Sequence, residues 1–135
     1  MPNEALDQFG QMLMENARDM AIKELDANLK ASGHALSTKL VQAILKTKEL
    51  DTDEKLQKII PIAVDTTLHY LLWMFENEMK LKISLETSSD VIPDISGISD
   101  GLSGEIFGSK GWIVRFSKER FDEALITPTL SVKRR

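Results

Sequence analysis

The apolar positions of this chain recur at helical spacing over its first part and change pattern near residue 80. Over residues 3–32 they return every three or four positions, which predicts one long amphipathic helix. The stripe consists of Leu6, Phe9, Leu13, Ala17, Met20, Ala21, Leu25 and Leu29. Gly33 is placed to end the helix in a left-handed turn. Because about thirty residues exceeds the usual length of a globular helix, this helix could also contact a second copy of the chain in a homodimer.

Two more helices are predicted before residue 79. The first covers residues 36–48, and the second begins at a D-x-x-E capping motif formed by Asp51 and Glu54. Pro61 lies inside the second helix and lacks a backbone donor, so we expect a kink or a split near Ile60. The part after Pro61 is the most apolar of the chain and is predicted to form the centre of the core. Its apolar residues are Ile62, Val64, Leu68, Leu71, Leu72, Met74 and Phe75.

After Met79 the pattern becomes that of a strand followed by turns. Leu81, Ile83 and Leu85 alternate with polar residues, as in a half-buried strand. Residues 87–111 are rich in turn-forming residues, and five of the seven glycines lie between residues 97 and 111. Residues 112–116 fit either a strand or a helix. We favour a helix that runs to residue 125, because Gly111 offers an entry turn and charges follow at helical spacing.

These elements predict one mainly helical α+β domain over residues 1–135. A long N-terminal helix and a helical bundle occupy residues 1–79. A strand or hairpin region, the glycine-rich loop and a C-terminal helix follow over residues 80–126, and residues 127–135 form a tail. A chain of 135 residues is long enough to bury a core of its own.

Composition excludes several classes of function. The chain has no cysteine, which removes disulfides, thiolate nucleophiles and cysteine metal sites. Its first residues include Glu4 and Asp7 and no apolar leader run, and it has no stretch of about 18 uncharged apolar residues. We therefore expect a soluble cytoplasmic protein with no membrane partner. The glycines lack the spacing of a phosphate loop, since Ser109 stands where that motif requires lysine, and we expect no cofactor.

The distribution of charge provides the favoured functional hypothesis. The net charge is −4, and residues 86–108 hold five acids and no base. This pattern suggests a macromolecular interaction or inhibitor module, similar in size and charge to small immunity proteins, which binds a basic protein through an acidic loop surface. The predicted binding residues are Asp90, Asp94, Asp100 and Glu105 for charge, with Trp112 and Trp73 as apolar anchors. Bases and aromatics interleave over residues 110–120, but the overall negative charge argues against a nucleic-acid partner.

The alternative hypothesis is a small metal-dependent enzyme. Asp65, His69 and Glu76 follow at steps of four and seven, which places them on roughly one face of a helix. Bundle metal sites usually take equivalent ligands from several helices, and the first helix offers few matching donors. The chain also lacks a G-x-S-x-G nucleophile motif. The balance favours a binding protein over an enzyme.

Overall fold

The fold begins with a continuous helical rod. A computed structural model describes residues 2–122; the predicted tail and the end of the predicted C-terminal helix lie outside the described residues. The rod consists of α1 (Pro2–Leu13), a π-helical segment (Met14–Arg18) and α2 (Asp19–Leu29). The predicted long N-terminal helix is therefore confirmed. The small side chains of Ala17 and Ala21 are buried, which allows the rod to approach the long helix over residues 52–77 closely.

The rod ends in a Schellman motif, but the left-handed residue is Ala31 and not Gly33. Ala31 has a φ of 57°. The backbone N–H of Ser32 donates to the oxygen of Ala27 over 2.9 Å, and that of Ala31 donates to the oxygen of Asn28 over 3.3 Å. Gly33 has a different role, because a Cβ there would lie 2.6 Å from the hydroxyl oxygen of Thr38. The prediction of the turn is correct, and its assignment to Gly33 is wrong.

Two helices pack against the rod. These are α3 (Leu36–Lys46) and α4 (Thr52–Asn77). The predicted capping box is present: Asp51 accepts from the backbone N–H of Glu54 over 2.9 Å, and Glu54 accepts from that of Asp51 over 3.2 Å. However, α4 continues through Pro61 without interruption, so the predicted split is wrong, and the alternative of a kink stays a prediction. Packing on both sides holds this helix together, since it contacts the rod, α3 and the loops that follow.

The core lies where α3, α4 and the rod meet. Val41, Ile44 and Ile62 form its central cluster, and Met74 is buried further along α4. The prediction that the whole apolar run of α4 forms the core is only half correct. Val64 and Leu68 are 52% and 42% exposed, because they lie on the opposite face of α4 from Ile62.

The second part of the fold is a short hairpin followed by tight helical turns. Strands β1 (Leu85–Glu86) and β2 (Val91–Ile92) pair antiparallel. The glycine-rich region forms two 3-10 helices, Ile95–Ile98 and Leu102–Ile106, and α5 (Trp112–Phe116) follows. Residues 112–116 are therefore helical, but this helix ends at Phe116, and residues 117–122 contain no helix. The mainly helical α+β fold is confirmed.

Candidate functional site

An apolar groove separates α4 from α5. Ile60, Val64 and Leu68 form one wall, at a spacing of four residues along α4. The other wall consists of Trp112, Ile113 and Phe116 of α5, and Ile106 and Leu72 also line the groove. Its volume is about 640 Å³. We refer to this surface as the α4–α5 groove.

The groove exists because α4 is apolar on more than one face. Between residues 59 and 75 the helix carries only one carboxylate, Asp65, and neither lysine nor arginine. Its inner face is used for the core, which leaves a second apolar face at the surface. Helices that are apolar all round are usually buried, so this exposed face is typical of a surface that binds another molecule.

Two glycines place α5 opposite α4. Gly111 is buried and caps the start of α5, and a Cβ on it would overlap the backbone oxygen of Phe107 and lie 2.6 Å from that of Ile106. Gly108 has a φ of 92°, in the left-handed region that favours glycine. The chain can therefore turn tightly after Phe107, which makes Trp112 the first residue of α5. This part of the glycine-rich segment shapes one wall of the groove.

The predicted acidic residues are mostly engaged by their own loop. Asp94 accepts from both the backbone N–H and the hydroxyl of Ser96, over 3.2 and 2.8 Å. Glu105 accepts from the hydroxyl of Ser99 over 2.6 Å. Asp90 is exposed and accepts from the backbone N–H of Val91, and Asp100 is exposed. These carboxylates order the loop as well as giving it negative charge.

The two tryptophans lie in different places. Trp112 lines the α4–α5 groove. Trp73 is 39% exposed and lines a shallow depression with Asn16 and Asn77, beside the rod. The structure therefore joins Trp112 to an apolar surface and leaves Trp73 apart from it.

A small cavity that holds several polar side chains lies next to the groove, between α2, α3 and α4. Its volume is about 230 Å³, and its lining includes Glu24, Ser37, Asp65, His69 and Phe107. Glu24 accepts from the hydroxyls of Tyr70 and Ser37, over 2.7 and 3.0 Å. The His69 ring meets Tyr70 edge-on, with centroids 5.0 Å apart. Its Nδ1 is buried and has no hydrogen-bond partner within residues 2–122.

Asp65 lines both the groove and the cavity. Asp65 is only 9% exposed, and no residue in the described part of the chain donates a hydrogen bond to its carboxylate. Burial raises the pKa of Asp65 above its ordinary value of 3.8, because the charged form loses solvation. A largely buried carboxylate that no neighbouring group pairs with is unusual in proteins, and its position between two open spaces leaves it accessible to a bound molecule.

The three predicted metal ligands do not meet. Asp65 and His69 share the cavity, but Glu76 lies eleven residues after Asp65, about 16 Å further along the helix axis. There its carboxylate accepts from the backbone N–H of Ser103 over 2.5 Å and fixes the second 3-10 helix. The described residues contain no group of three or more histidine or acidic side chains that could hold a metal ion.

Sequence reasoning missed two parts of this site. Val64 and Leu68 were assigned to the core although they are exposed, and Asp65 was considered only as a metal ligand. Between residues 59 and 75, α4 carries almost no charge. This feature of the sequence could have indicated both the exposed apolar face and the special position of Asp65.

No known family model matches the chain, and no curated protein or solved structure matches it either. Within residues 2–122, every helix is too short or too polar to cross a membrane.

Proposed function

We propose that this protein is a protein-interaction module that binds an amphipathic helix of its partner in the α4–α5 groove. The observation that carries the proposal is the exposed row of Ile60, Val64 and Leu68 opposite Trp112. From Ile60 to Leu72 the wall extends over about 18 Å, which corresponds to about three turns of a bound helix. Apolar residues of such a helix at positions i, i+4 and i+7 would contact both walls.

The negative charge of the chain supports a basic partner. The exposed carboxylates of Asp90 and Asp100 lie on the loops of the second part of the fold. Such charges accelerate encounter with a basic protein and contribute less to the final affinity than the apolar contacts do. An inhibitor that covers a basic protein, as immunity proteins do, is the specific form of this proposal.

A displayed library of helical peptides tests the proposal. Peptides of about twelve residues, long enough for three turns, are selected on the wild-type protein and then measured against Leu68→Glu. Ile98→Glu is the matched control, because Ile98 is 74% exposed and does not line the groove. We expect Leu68→Glu to weaken binding at least about tenfold, since the new carboxylate loses solvation in an apolar contact, while Ile98→Glu leaves binding unchanged.

Two results would contradict the proposal. One is a selection that yields no binding peptide, and the other is a set of peptides that bind wild type and Leu68→Glu equally well. Circular dichroism of both variants shows whether the fold is retained. Both positions are exposed, so we expect changes in the free energy of unfolding within about 0.5 kcal/mol.

Self-association through the N-terminal rod stays a separate prediction. Leu6 and Met14 of the rod are exposed, and Met14 and Ile22 line an apolar depression of about 360 Å³ against α4. Sedimentation equilibrium over a range of concentrations measures the stoichiometry. Met14→Glu should return any dimer to a monomer, and a dimer that persists in this variant would place the contact elsewhere.

A further inference from the structure

We infer that the helix bound in the α4–α5 groove presents a lysine or arginine side chain whose cationic group pairs with Asp65. This inference rests on the proposed function and specifies the chemistry of the partner. Asp65 borders both spaces, because it lines the apolar groove on one side and the small cavity on the other.

The charges around the cavity favour a cation. Its lining holds two carboxylates, Glu24 and Asp65, and neither lysine nor arginine. Glu24 is already engaged by two hydroxyl donors, whereas no described residue donates to Asp65. An entering cation would therefore find one carboxylate with all its acceptor positions open and a second one that adds to the local negative field.

Among residues 2–122, the one cationic side chain that lines the groove does not fill this role. Arg120 lines the groove, but its Nε donates to the backbone oxygen of Gln57 over 2.9 Å. Gln57 lies eight residues before Asp65, about 12 Å away along the helix axis. Arg120 also forms a 3.8 Å ion pair with Glu119, so its charge is directed away from Asp65.

Other ligands fit the cavity less well. An anion in this cavity would face two carboxylates, and a neutral donor would leave the charge of Asp65 uncompensated. A metal ion would need a third donor, and residues 2–122 do not provide such a set. An alkylammonium or guanidinium group satisfies the carboxylate with charge-assisted hydrogen bonds.

The position of Asp65 favours a side chain over a free amine. The aliphatic stem of a lysine or arginine can lie along the apolar wall formed by Val64 and Leu68 while its charged end reaches Asp65. A small free amine would gain only the polar contact. The apolar wall and the carboxylate together therefore match an amphipathic helix with one basic residue on its apolar face.

The experiment extends the peptide selection to the Asp65→Asn variant. On wild-type protein we expect selected peptides to carry a lysine or arginine at a fixed spacing from their apolar anchors, and on Asp65→Asn we expect the anchors without this basic residue. In a selected peptide, replacing the lysine by norleucine should weaken binding at least about tenfold on wild type and by less than about twofold on Asp65→Asn. Asp26→Asn is the matched control, because it removes the same charge at an exposed site that lines neither the groove nor the cavity.

The outcomes separate this inference from the proposed function. Peptides that lose binding with Leu68→Glu but show no enrichment of basic residues overturn the inference and leave the proposed function standing. A selection without any peptide that depends on the groove overturns both.

The carboxyl carbon of Asp65, observed by NMR, distinguishes the source of the cation. We expect a shift with the peptide and none with n-butylammonium at the same concentration, and an equal shift with both would overturn the assignment to a partner side chain.

Discussion

The side chain of Arg120 donates a hydrogen bond from its Nε to the backbone oxygen of Gln57, over 2.9 Å. In an uninterrupted α-helix the donor to this oxygen is the N–H of the residue four positions later, which here is Pro61 and has none. The arginine therefore replaces the helical hydrogen bond that the proline removes. This contact also holds the segment after α5 beside the groove.

A double-mutant cycle tests this relationship. We expect Arg120→Ala to lower the free energy of unfolding by about 0.5–1.5 kcal/mol in the wild-type background. In the Pro61→Ala background the residue at position 61 can donate to Gln57 itself, so we expect the same substitution to cost little. Urea unfolding of the four proteins measures the difference. An equal cost of Arg120→Ala in both backgrounds would show that the arginine acts in another way.

A stabilising substitution is predicted at the end of the rod. Ala31 has a φ of 57°. This conformation costs about 1 kcal/mol or more for a residue with a Cβ and little for glycine. We expect Ala31→Gly to raise the free energy of unfolding, by at most about 1 kcal/mol, since glycine also loses more chain entropy on folding.

Ala43→Gly is the control for Ala31→Gly. Ala43 is exposed in the middle of α3, where the same substitution should lower the free energy of unfolding by about 1 kcal/mol. Thermal melting of both variants shows directly whether each substitution raises or lowers the stability of the fold. A lower melting temperature for Ala31→Gly would rule out strain at this position.

A destabilising substitution is predicted at the start of α5. In Gly111→Ala the new methyl group would overlap the backbone oxygens of Phe107 and Ile106, and backbone cannot move aside as a flexible side chain can. We expect a loss of about 1–3 kcal/mol in the free energy of unfolding. Gly104→Ala adds the same methyl group where no atom lies within 4 Å and should change stability little. Similar losses for both variants would contradict this account of the turn.

Local signals along the chain predicted several elements correctly. The capping box at Asp51 and Glu54 marked the start of α4, because both partners of a cap lie within four residues. The entry turn at Gly111 indicated that residues 112–116 form a helix, for the same reason. Such features depend on neighbours in sequence and need no knowledge of the rest of the fold.

Features that depend on tertiary packing were not predictable in this way. An apolar helix such as α4 does not reveal which of its faces is covered, so Val64 and Leu68 were placed in the core although they are exposed. Asp65 and Glu76 share a helical face but lie about 16 Å apart along it, so a common face does not imply a common site. The contact of Arg120 with Gln57 joins residues 63 positions apart, and no local pattern indicates it.

The buried carboxylate of Asp65 predicts a pH dependence of stability. Because its pKa is raised above 3.8 by burial, the folded protein binds this proton more tightly than the unfolded chain. The stability that this tighter proton binding contributes is fully present below pH 3.8 and is lost as the pH rises through the pKa of Asp65 in the folded protein. We expect Asp65→Asn to melt at a higher temperature than wild type at pH 7, while Asp100→Asn changes little. A lower melting temperature for Asp65→Asn would mean that the carboxylate makes a stabilising contact.

The single tyrosine of the chain allows a direct titration of the hydrogen bond between α4 and α2. The hydroxyl of Tyr70 donates to Glu24 over 2.7 Å. Burial, this hydrogen bond and the charge of Glu24 raise the pKa of Tyr70 to about 12, from an ordinary value of 10.0. Ultraviolet absorbance of the tyrosinate therefore reports this one residue, and we expect its midpoint near the raised value.

The raised pKa of Tyr70 also makes the stability of the fold depend on pH in a defined direction. Because the folded pKa of Tyr70 is raised, the contribution of its neutral hydroxyl is fully present below pH 10 and is lost as the pH rises towards about 12. Tyr70→Phe should lose stability less steeply than wild type over this range, because it cannot ionise. Glu24→Gln should move the tyrosinate midpoint towards 10, since it removes the charge and keeps a hydrogen-bond acceptor. A midpoint that stays near 12 in Glu24→Gln would assign the shift to burial and the hydrogen bond, with no part for the charge of Glu24.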